Sequence, residues 1–134
     1  MTRSPSPEDV ARRLIAGITA RRFDDVWPLY AEDVVVELPY AIPAPQRFDG
    51  RAAMRAHFAD AGDLPLRLRA DNIVVHATTD PERIVVEYDY AGEVTTTGKT
   101  FVSRNIIVLR VRDGAIVESR DYHDHRAFAE ALTP

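Results

Sequence analysis

Apolar residues recur at helical spacing in three stretches of the first half of the chain. Ser6, followed by Pro7 and two acids, provides a hydroxyl cap, a first-turn proline and negative charge at the positive end of a helix dipole. Asp49 and Gly50 open the third stretch. The pattern predicts three helices, whose apolar positions are Val10, Leu14, Ile15 and Ile18; Phe23, Val26, Trp27 and Tyr30; and Met54, His57, Phe58 and Ala61.

After Gly62 the pattern changes to a period of two, which is typical of strands with one buried face. The clearest run alternates with charged residues and places on one face Ile84, Val86, Tyr88 and Tyr90. Turn sequences separate such runs, so we predict an antiparallel meander of about four long strands. A short strand at residues 34–39 precedes the meander, and a short helix at 124–132 follows it.

Helices followed by a meander indicate an α+β fold, in which the helices cover one face of a curved antiparallel sheet. A sheet that curls around helices leaves a cone-shaped hollow, and a small ligand is expected to bind there. The 134 residues contain no linker or repeat, so we interpret residues 1–134 as a single domain.

Composition excludes several classes of partner. The net charge of −4 leaves no basic stripe for a phosphate backbone, and no apolar run approaches the length of a membrane span. The first residues contain no apolar export signal and the chain has no cysteine, so we expect a cytoplasmic protein without disulfides or thiolate chemistry. Neither nucleic acid nor a membrane is an expected partner.

Three motifs carry a resemblance to a known family. L-Y-A-E-D-V-V-V-E-L-P at 29–39, F-D-G-R-A-A-M-R-A-H-F at 48–58 and V-R-D-G-A-I-V-E-S-R-D-Y at 111–122 resemble the SnoaL-like branch of the ketosteroid isomerase and nuclear transport factor 2-like superfamily. E-L-P-Y-A-I-P-A-P at 37–45 is most similar to the phenazine-biosynthesis A/B type. The resemblance implies a cone-shaped (cystatin-like) α+β barrel, a homodimer, and chemistry without a cofactor or a metal.

The positions that carry chemistry in such proteins give a mixed result. The three polar groups of ketosteroid isomerase correspond here to Leu14, Leu38 and Ile107, so that activity is not expected. The acid–arginine–acid set of epoxide hydrolases is incomplete, because two of its positions are occupied by Ile107 and Asn105. The single carboxyl of SnoaL-type cyclases and phenazine A/B-type enzymes is matched by Asp121.

The stretch R-D-Y-H-D-H at 120–125 therefore contains the main candidate, Asp121. A carboxyl in an apolar cavity has a raised pKa and can exchange protons near neutral pH. The residues expected to face the same hollow are Val117, Ser119, His123, Tyr88 and Asn105. The alternative is an exposed carboxylate paired with Arg120 or Arg126, with a structural role only.

His57 is the second catalytic candidate, because the third helix of this family points that position at the cavity, although a histidine on an apolar stripe also serves as a core residue. The further ligand-binding candidates are Tyr30, Leu38, Tyr40 and Ile107. His123 and His125 together with Asp121 suggest a metal site as a third alternative, which we do not adopt because closed sites draw ligands from separate elements.

The leading hypothesis is a SnoaL-like enzyme that performs acid–base chemistry on a hydrophobic carbonyl compound. Cyclisation, isomerisation, dehydration and hydration all begin with the same proton transfer. The rival is a module of the same fold that binds a hydrophobic ligand or dimerises without catalysis. A homodimer is expected through the outer face of the sheet, where the apolar residues are Val102, Ile106 and Val108.

Overall fold

The computed structural model describes residues 4–134, which form three helices and one six-stranded sheet. The helices are α1 (Pro7–Thr19), α2 (Arg51–Gly62) and α3 (His125–Leu132). The strands are β1 (Tyr30–Leu38), β2 (Gln46–Asp49), β3 (Leu66–Ala77), β4 (Arg83–Val94), β5 (Thr100–Arg112) and β6 (Ala115–Tyr122). The predicted α+β architecture, with helices on a curved sheet, is confirmed. No helix among residues 4–134 combines the length and apolarity needed to cross a membrane.

The strand order in the sheet is β2-β1-β6-β5-β4-β3. The four long strands β3 to β6 form the predicted antiparallel meander. The prediction of a purely antiparallel sheet is wrong at one pair, because β1 lies parallel to β6. These two strands are far apart in the chain, so no turn between them determines their relative direction.

The first helix begins as its sequence predicts. Ser6 Oγ accepts a hydrogen bond from the backbone N–H of Asp9 at 3.1 Å, and the Asp9 carboxylate accepts one from the N–H of Ser6 at 3.3 Å. These reciprocal bonds satisfy two of the N–H groups that a helix start leaves free. The helix packs its apolar stripe against β3, β4 and β5.

The second predicted helix is wrong. Residues 23–30 instead form two short 3₁₀ turns, Phe23–Asp25 and Trp27–Leu29, and Tyr30 already belongs to β1. Pro28 lacks the N–H that a continuing α-helix needs, and tight turns still place Val26 and Tyr30 in the core. The spacing of apolar residues therefore predicted correctly that Val26 and Tyr30 are buried, but it predicted the wrong type of secondary structure.

A bulge on β6 alters the predicted inner face. Val111 pairs with Ile116 and Arg110 pairs with Glu118, which leaves Val117 without a partner on β5. The extra residue shifts the alternation, so buried Ile116 rather than Val117 continues the inward row that contains Ser119. The expectation that Val117 faces the hollow is wrong for this reason.

Arg21, which follows α1, forms hydrogen bonds to the C-terminal end of α2. Its Nη2 atom donates to the backbone oxygens of Ala61, Gly62 and Leu64 at 3.0, 3.3 and 2.8 Å. The last carbonyls of a helix have no partner within the helix, and a guanidinium also suits the negative end of the dipole. This contact holds α2, and with it His57, against the rest of the fold.

Arg21→Met is expected to lower the free energy of unfolding by about 1–2 kcal/mol, because charged donors to three carbonyls are lost. Arg22→Met is the matched control, since Arg22 is exposed and one residue further along the chain. Urea unfolding of both variants checks the prediction. Equal stability of the two variants would show that the Arg21 contacts contribute nothing measurable.

Candidate active site

The inner face of the sheet and the three helices border a cavity of about 290 Å³. Both predicted proton handlers line it, Asp121 from β6 and His57 from α2. The predicted ligand-binding residues that also line it are Tyr30, Leu38, Tyr88, Ile107 and His123. The rest of the wall is mostly apolar, so polar groups in it meet few competing hydrogen-bond partners.

Asp121 lies on the inward row of β6, directly across the ladder from Ile107. Burial raises the pKa of its carboxyl from 3.8 to about 6, while a hydrogen bond from Ser119 and the nearby His57 and His125 act in the opposite direction. Ser119 Oγ donates that bond to Oδ1. The side chain remains partly accessible on the side that borders the cavity. A carboxyl with this pKa can both release and accept a proton near neutral pH.

The ion pairs that would give Asp121 a structural role are not formed. Arg126 pairs with Glu130 instead, at 2.9 Å between Nε and Oε1. Arg120 pairs across the ladder with Val108, on the row that faces away from the cavity. Within residues 4–134 no arginine or lysine lies at ion-pair distance from Asp121, so its charged form has only neutral donors and histidines around it.

Three histidines line the cavity together with Asp121, one from each of three segments. His57 comes from α2, His123 follows β6, and His125 begins α3. Burial is the main cause that lowers the pKa of each ring, to about 4 for His123. The His57 ring lies between Phe48 and Phe58, with centroid distances of 4.7 and 5.3 Å. At neutral pH the three rings are therefore uncharged and act as hydrogen-bonding groups rather than cations.

Two tyrosines complete the polar part of the wall. Burial and the carboxylate of Asp121 raise the pKa of Tyr30 well above 10. Burial also raises the pKa of Tyr88, whose ring packs edge-on against Tyr90 at 5.2 Å between centroids. Both hydroxyls stay protonated at neutral pH. The Tyr88 hydroxyl is hydrogen-bonded to Tyr90, so Tyr30 is the one of the two that is available as a neutral donor to an oxygen in the cavity.

Three predicted ligand-binding residues lie outside the cavity wall. Tyr40 is 68% exposed and packs on Tyr122, because the loop after β1 leaves the inner face. Asn105 is buried behind the wall, where its amide oxygen contacts Ser103 and His123. Ser119 is buried as well and acts on the cavity only through its hydrogen bond to Asp121. The expectation of direct ligand contact does not match the placement of these three residues.

Several lining residues were not predicted, among them Arg21, Gln46, His125 and Phe128. His125 lies in the R-D-Y-H-D-H stretch and in the predicted helix at 124–132, but the sequence suggested it only as a metal ligand and not as a residue of the cavity wall. Among residues 4–134 no three His, Asp or Glu side chains are placed to hold a metal ion. The polar groups of the cavity are thus one carboxyl, three imidazoles, phenols, an amide and the guanidinium of Arg21.

The fold, a curved sheet with helices on its inner face, is shared with solved structures described as NTF2-like and ketosteroid isomerase-like. The model of the SnoaL-like domain matches residues 11–119, so the chain belongs to the SnoaL-like family.

Three relatives illustrate the similarity. An uncharacterised PhzA/B-like protein of Pseudomonas aeruginosa is 33% identical over 121 residues, which cover 90% of this chain and 83% of the relative. A Bacillus subtilis crystal structure, provisionally assigned as an isomerase, is 27% identical with a TM-score of 0.86, covering 94% of this chain and 91% of that one. A Pseudomonas putida structure, provisionally assigned as a polyketide cyclase, shares the fold at 19% identity and a TM-score of 0.81, covering 97% and 100%.

The raised pKa of Asp121 predicts a specific dependence of stability on pH. Because the folded-state pKa of about 6 lies above the ordinary value of 3.8, the folded protein binds more protons here than the unfolded chain between those values. The contribution of this group to the free energy of unfolding therefore falls as pH rises through that window, by about 3 kcal/mol in all.

Asp121→Asn is expected to be more stable than the parent protein by about 3 kcal/mol at pH 7, and this advantage should shrink to about 0.5 kcal/mol at pH 4. Urea unfolding of both proteins at the two pH values measures the difference. Asp33→Asn, at an exposed position of β1, is the control and should show no such pH-dependent advantage. An advantage of Asp121→Asn that is equal at both pH values would contradict the raised pKa.

Proposed function

We propose that this protein is an enzyme that performs cofactor-independent acid–base chemistry on a hydrophobic carbonyl compound bound in the cavity. One observation carries the proposal: Asp121 has a carboxyl whose pKa is raised by burial to about 6, and it borders a mostly apolar cavity. General bases operate best when their pKa lies near the working pH. Membership of the SnoaL-like family supports the same conclusion.

In the proposed reaction the ionised carboxyl of Asp121 takes a proton from a carbon next to the carbonyl group. The electron pair of the broken C–H bond moves onto the carbonyl oxygen and forms an enolate. Asp121, now a carboxylic acid, returns its proton to another carbon in an isomerisation or to a departing hydroxyl in a dehydration. If the enolate carbon attacks a second carbonyl, the same steps close a ring.

The negative charge on the enolate oxygen needs hydrogen-bond donors other than the group that transfers the proton. His57 and Tyr30 are the candidates, since each lines the cavity and stays uncharged at neutral pH. Neutral donors fixed in an apolar wall stabilise a developing negative charge more strongly than water does. Asn105 is not among them, because its amide oxygen is engaged behind the wall.

Cavity size limits the substrate. A volume of about 290 Å³ lies at the bottom of the range of roughly 300–1,000 Å³ for small-molecule sites. The proposed substrate is therefore a compound with one or two small rings, not a long polyketide chain. Its apolar parts would contact Leu14, Leu38 and Ile107, which line the cavity.

A second candidate function is ligand binding without catalysis. The observation that favours it is the apolar character of Leu14, Leu38 and Ile107, where ketosteroid isomerase carries its polar groups. A binder would hold the same small hydrophobic compounds without moving a proton. Hydrogen–deuterium exchange at the carbon next to the carbonyl separates the two functions, because only the enzyme accelerates it.

Asp121→Asn is expected to slow this exchange by at least about 100-fold, because the base is removed while the shape is kept. The exchange of small cyclic ketones in deuterated buffer, followed by NMR, is the measurement. Asp33→Asn serves as the control and should exchange like the parent protein. Unchanged exchange in Asp121→Asn would refute the mechanism, and no acceleration by the parent protein across the panel would favour the binder.

We also propose that the protein is a homodimer that associates through the outer face of the sheet. Val74 and Ile106 flank Glu87 across three neighbouring strands, and Val102 continues the patch. These three apolar side chains are 47%, 42% and 54% exposed, respectively. A second copy would cover this patch and remove it from water. A cytoplasmic location and the absence of a nucleic-acid partner stay predictions from the sequence.

Ile106→Lys is expected to shift the dimer toward monomer, because it places a charge at the centre of the patch. Light scattering at micromolar concentration measures the change in mass. Ala52→Lys adds the same charge on the exposed side of α2 and is the control. A parent protein that is already monomeric at this concentration would contradict the proposed dimer.

A further inference from the structure

A row of buried polar side chains lies behind one end of the cavity. Ser103 and Asn105 face inward from β5, and both are almost completely inaccessible. Ser103 Oγ donates to Asn105 Oδ1 over 2.8 Å, and Nδ1 of His123 lies 2.9 Å from the same oxygen. His123 therefore stands next to Asp121 on the inward side with one ring nitrogen occupied by the protein.

This arrangement assigns the tautomer of His123. The Asn105 amide is oriented with Oδ1 toward Ser103 and His123, and its buried Nδ2 has no partner in the part of the chain that the structure describes. In this orientation the amide oxygen only accepts hydrogen bonds, so the proton lies on Nδ1 of His123. Burial lowers the pKa of His123 to about 4, so the ring is neutral at pH 7 and its Nε2 is a bare acceptor. Within residues 4–134 no protein group bonds to Nε2, and His123 lines the cavity.

We propose that Nε2 of His123 accepts a hydrogen bond from the substrate, which must therefore carry a hydroxyl or N–H group in addition to its carbonyl. This proposal rests on the proposed function and narrows its substrate class. Asp121 and His123 are consecutive inward positions, about 6.6 Å apart along an extended chain. That spacing places the donor across one six-membered ring from the reacting carbon.

Asn105 is then a positioning residue, since it acts on the substrate only by holding the tautomer and the orientation of His123. A histidine that merely filled space would not need a fixed tautomer, and Phe or Leu would pack as well. Ser103 occupies the second acceptor site of the amide oxygen, which restrains the amide in turn. The row of buried polar side chains thus orients one hydrogen-bond acceptor, Nε2 of His123. The other groups of the cavity wall are mostly apolar or hydrogen-bond donors.

Binding of 4-hydroxyacetophenone and 4-methylacetophenone tests the selectivity, because the two ketones have similar size and differ in one hydroxyl. By calorimetry the parent protein should bind the hydroxy compound about tenfold more tightly, the value of one hydrogen bond in a desolvated site. His123→Phe keeps an aromatic ring, and its affinities for the two ketones should agree within about twofold. His76→Phe, on the outer face of the sheet, is the matched control and should keep the preference.

A parent protein with no preference, or a preference that survives in His123→Phe, would overturn the proposal. These ligands are compared by affinity alone, so this failure is distinct from a failure of Asp121 to exchange protons. Phenol-bearing ligands that bind Asp121→Asn with the same preference would support His123 as the selecting group.

The tautomer is measured directly by ¹⁵N NMR of the histidine rings in the parent protein, which does not depend on the folding of any variant. The expected spectrum has a protonated Nδ1 and an unprotonated Nε2 at His123. A proton on Nε2 would mean that the Asn105 amide is turned around, and the proposal would be wrong. Asn105→Leu should yield a mixture of tautomers and a smaller ligand preference, whereas a purely structural Asn105 would lower thermal stability and change neither.

Discussion

The pairing of β5 with β6 is the constraint on which the rest of the site depends. It places Asp121 directly opposite Ile107, so the carboxyl of Asp121 lies on the inner face of the sheet. Backbone hydrogen bonds on both sides of the pair prevent the strand from rotating its carboxyl toward bulk water. The raised pKa of Asp121 and the hydrogen bond from Ser119 both follow from this single choice of register.

Other elements bring their groups to the carboxyl at some cost to stability. An ionised carboxyl in an apolar wall destabilises the folded protein, and the buried core that surrounds it must offset that cost. α2 contributes His57 and is held at its end by Arg21, while α3 contributes His125 in its first turn. A helix from the first half of the chain and the helix that directly follows β6 therefore converge on one proton-handling group, which a rigid sheet keeps in place.

Much of the fold could be predicted from the sequence because its signals are local. The period of two specified β3 to β6, and the cap at Ser6 specified the start of α1. The parallel pairing of β1 with β6 could not be predicted, because it is set by packing between distant strands. The helix predicted around Pro28 was wrong, because the spacing of apolar residues indicates burial but does not distinguish an α-helix from tight turns.

The site was predictable to the same extent. Asp121 and His57 lie on elements whose period was clear, and both line the cavity. Asn105 and Tyr40 were misplaced because alternation gives the face of a strand but not the depth of a cavity or the path of a loop. The apolar Leu14, Leu38 and Ile107, which taken alone favour a simple binder, also line the cavity that Asp121 borders. A binder of hydrophobic compounds gains nothing from a carboxyl whose charged form is costly there, whereas an acid–base enzyme requires that shifted pKa. The apolar wall and the carboxyl of Asp121 therefore act together, because the wall provides the burial that raises the pKa. This combination favours catalysis over binding alone.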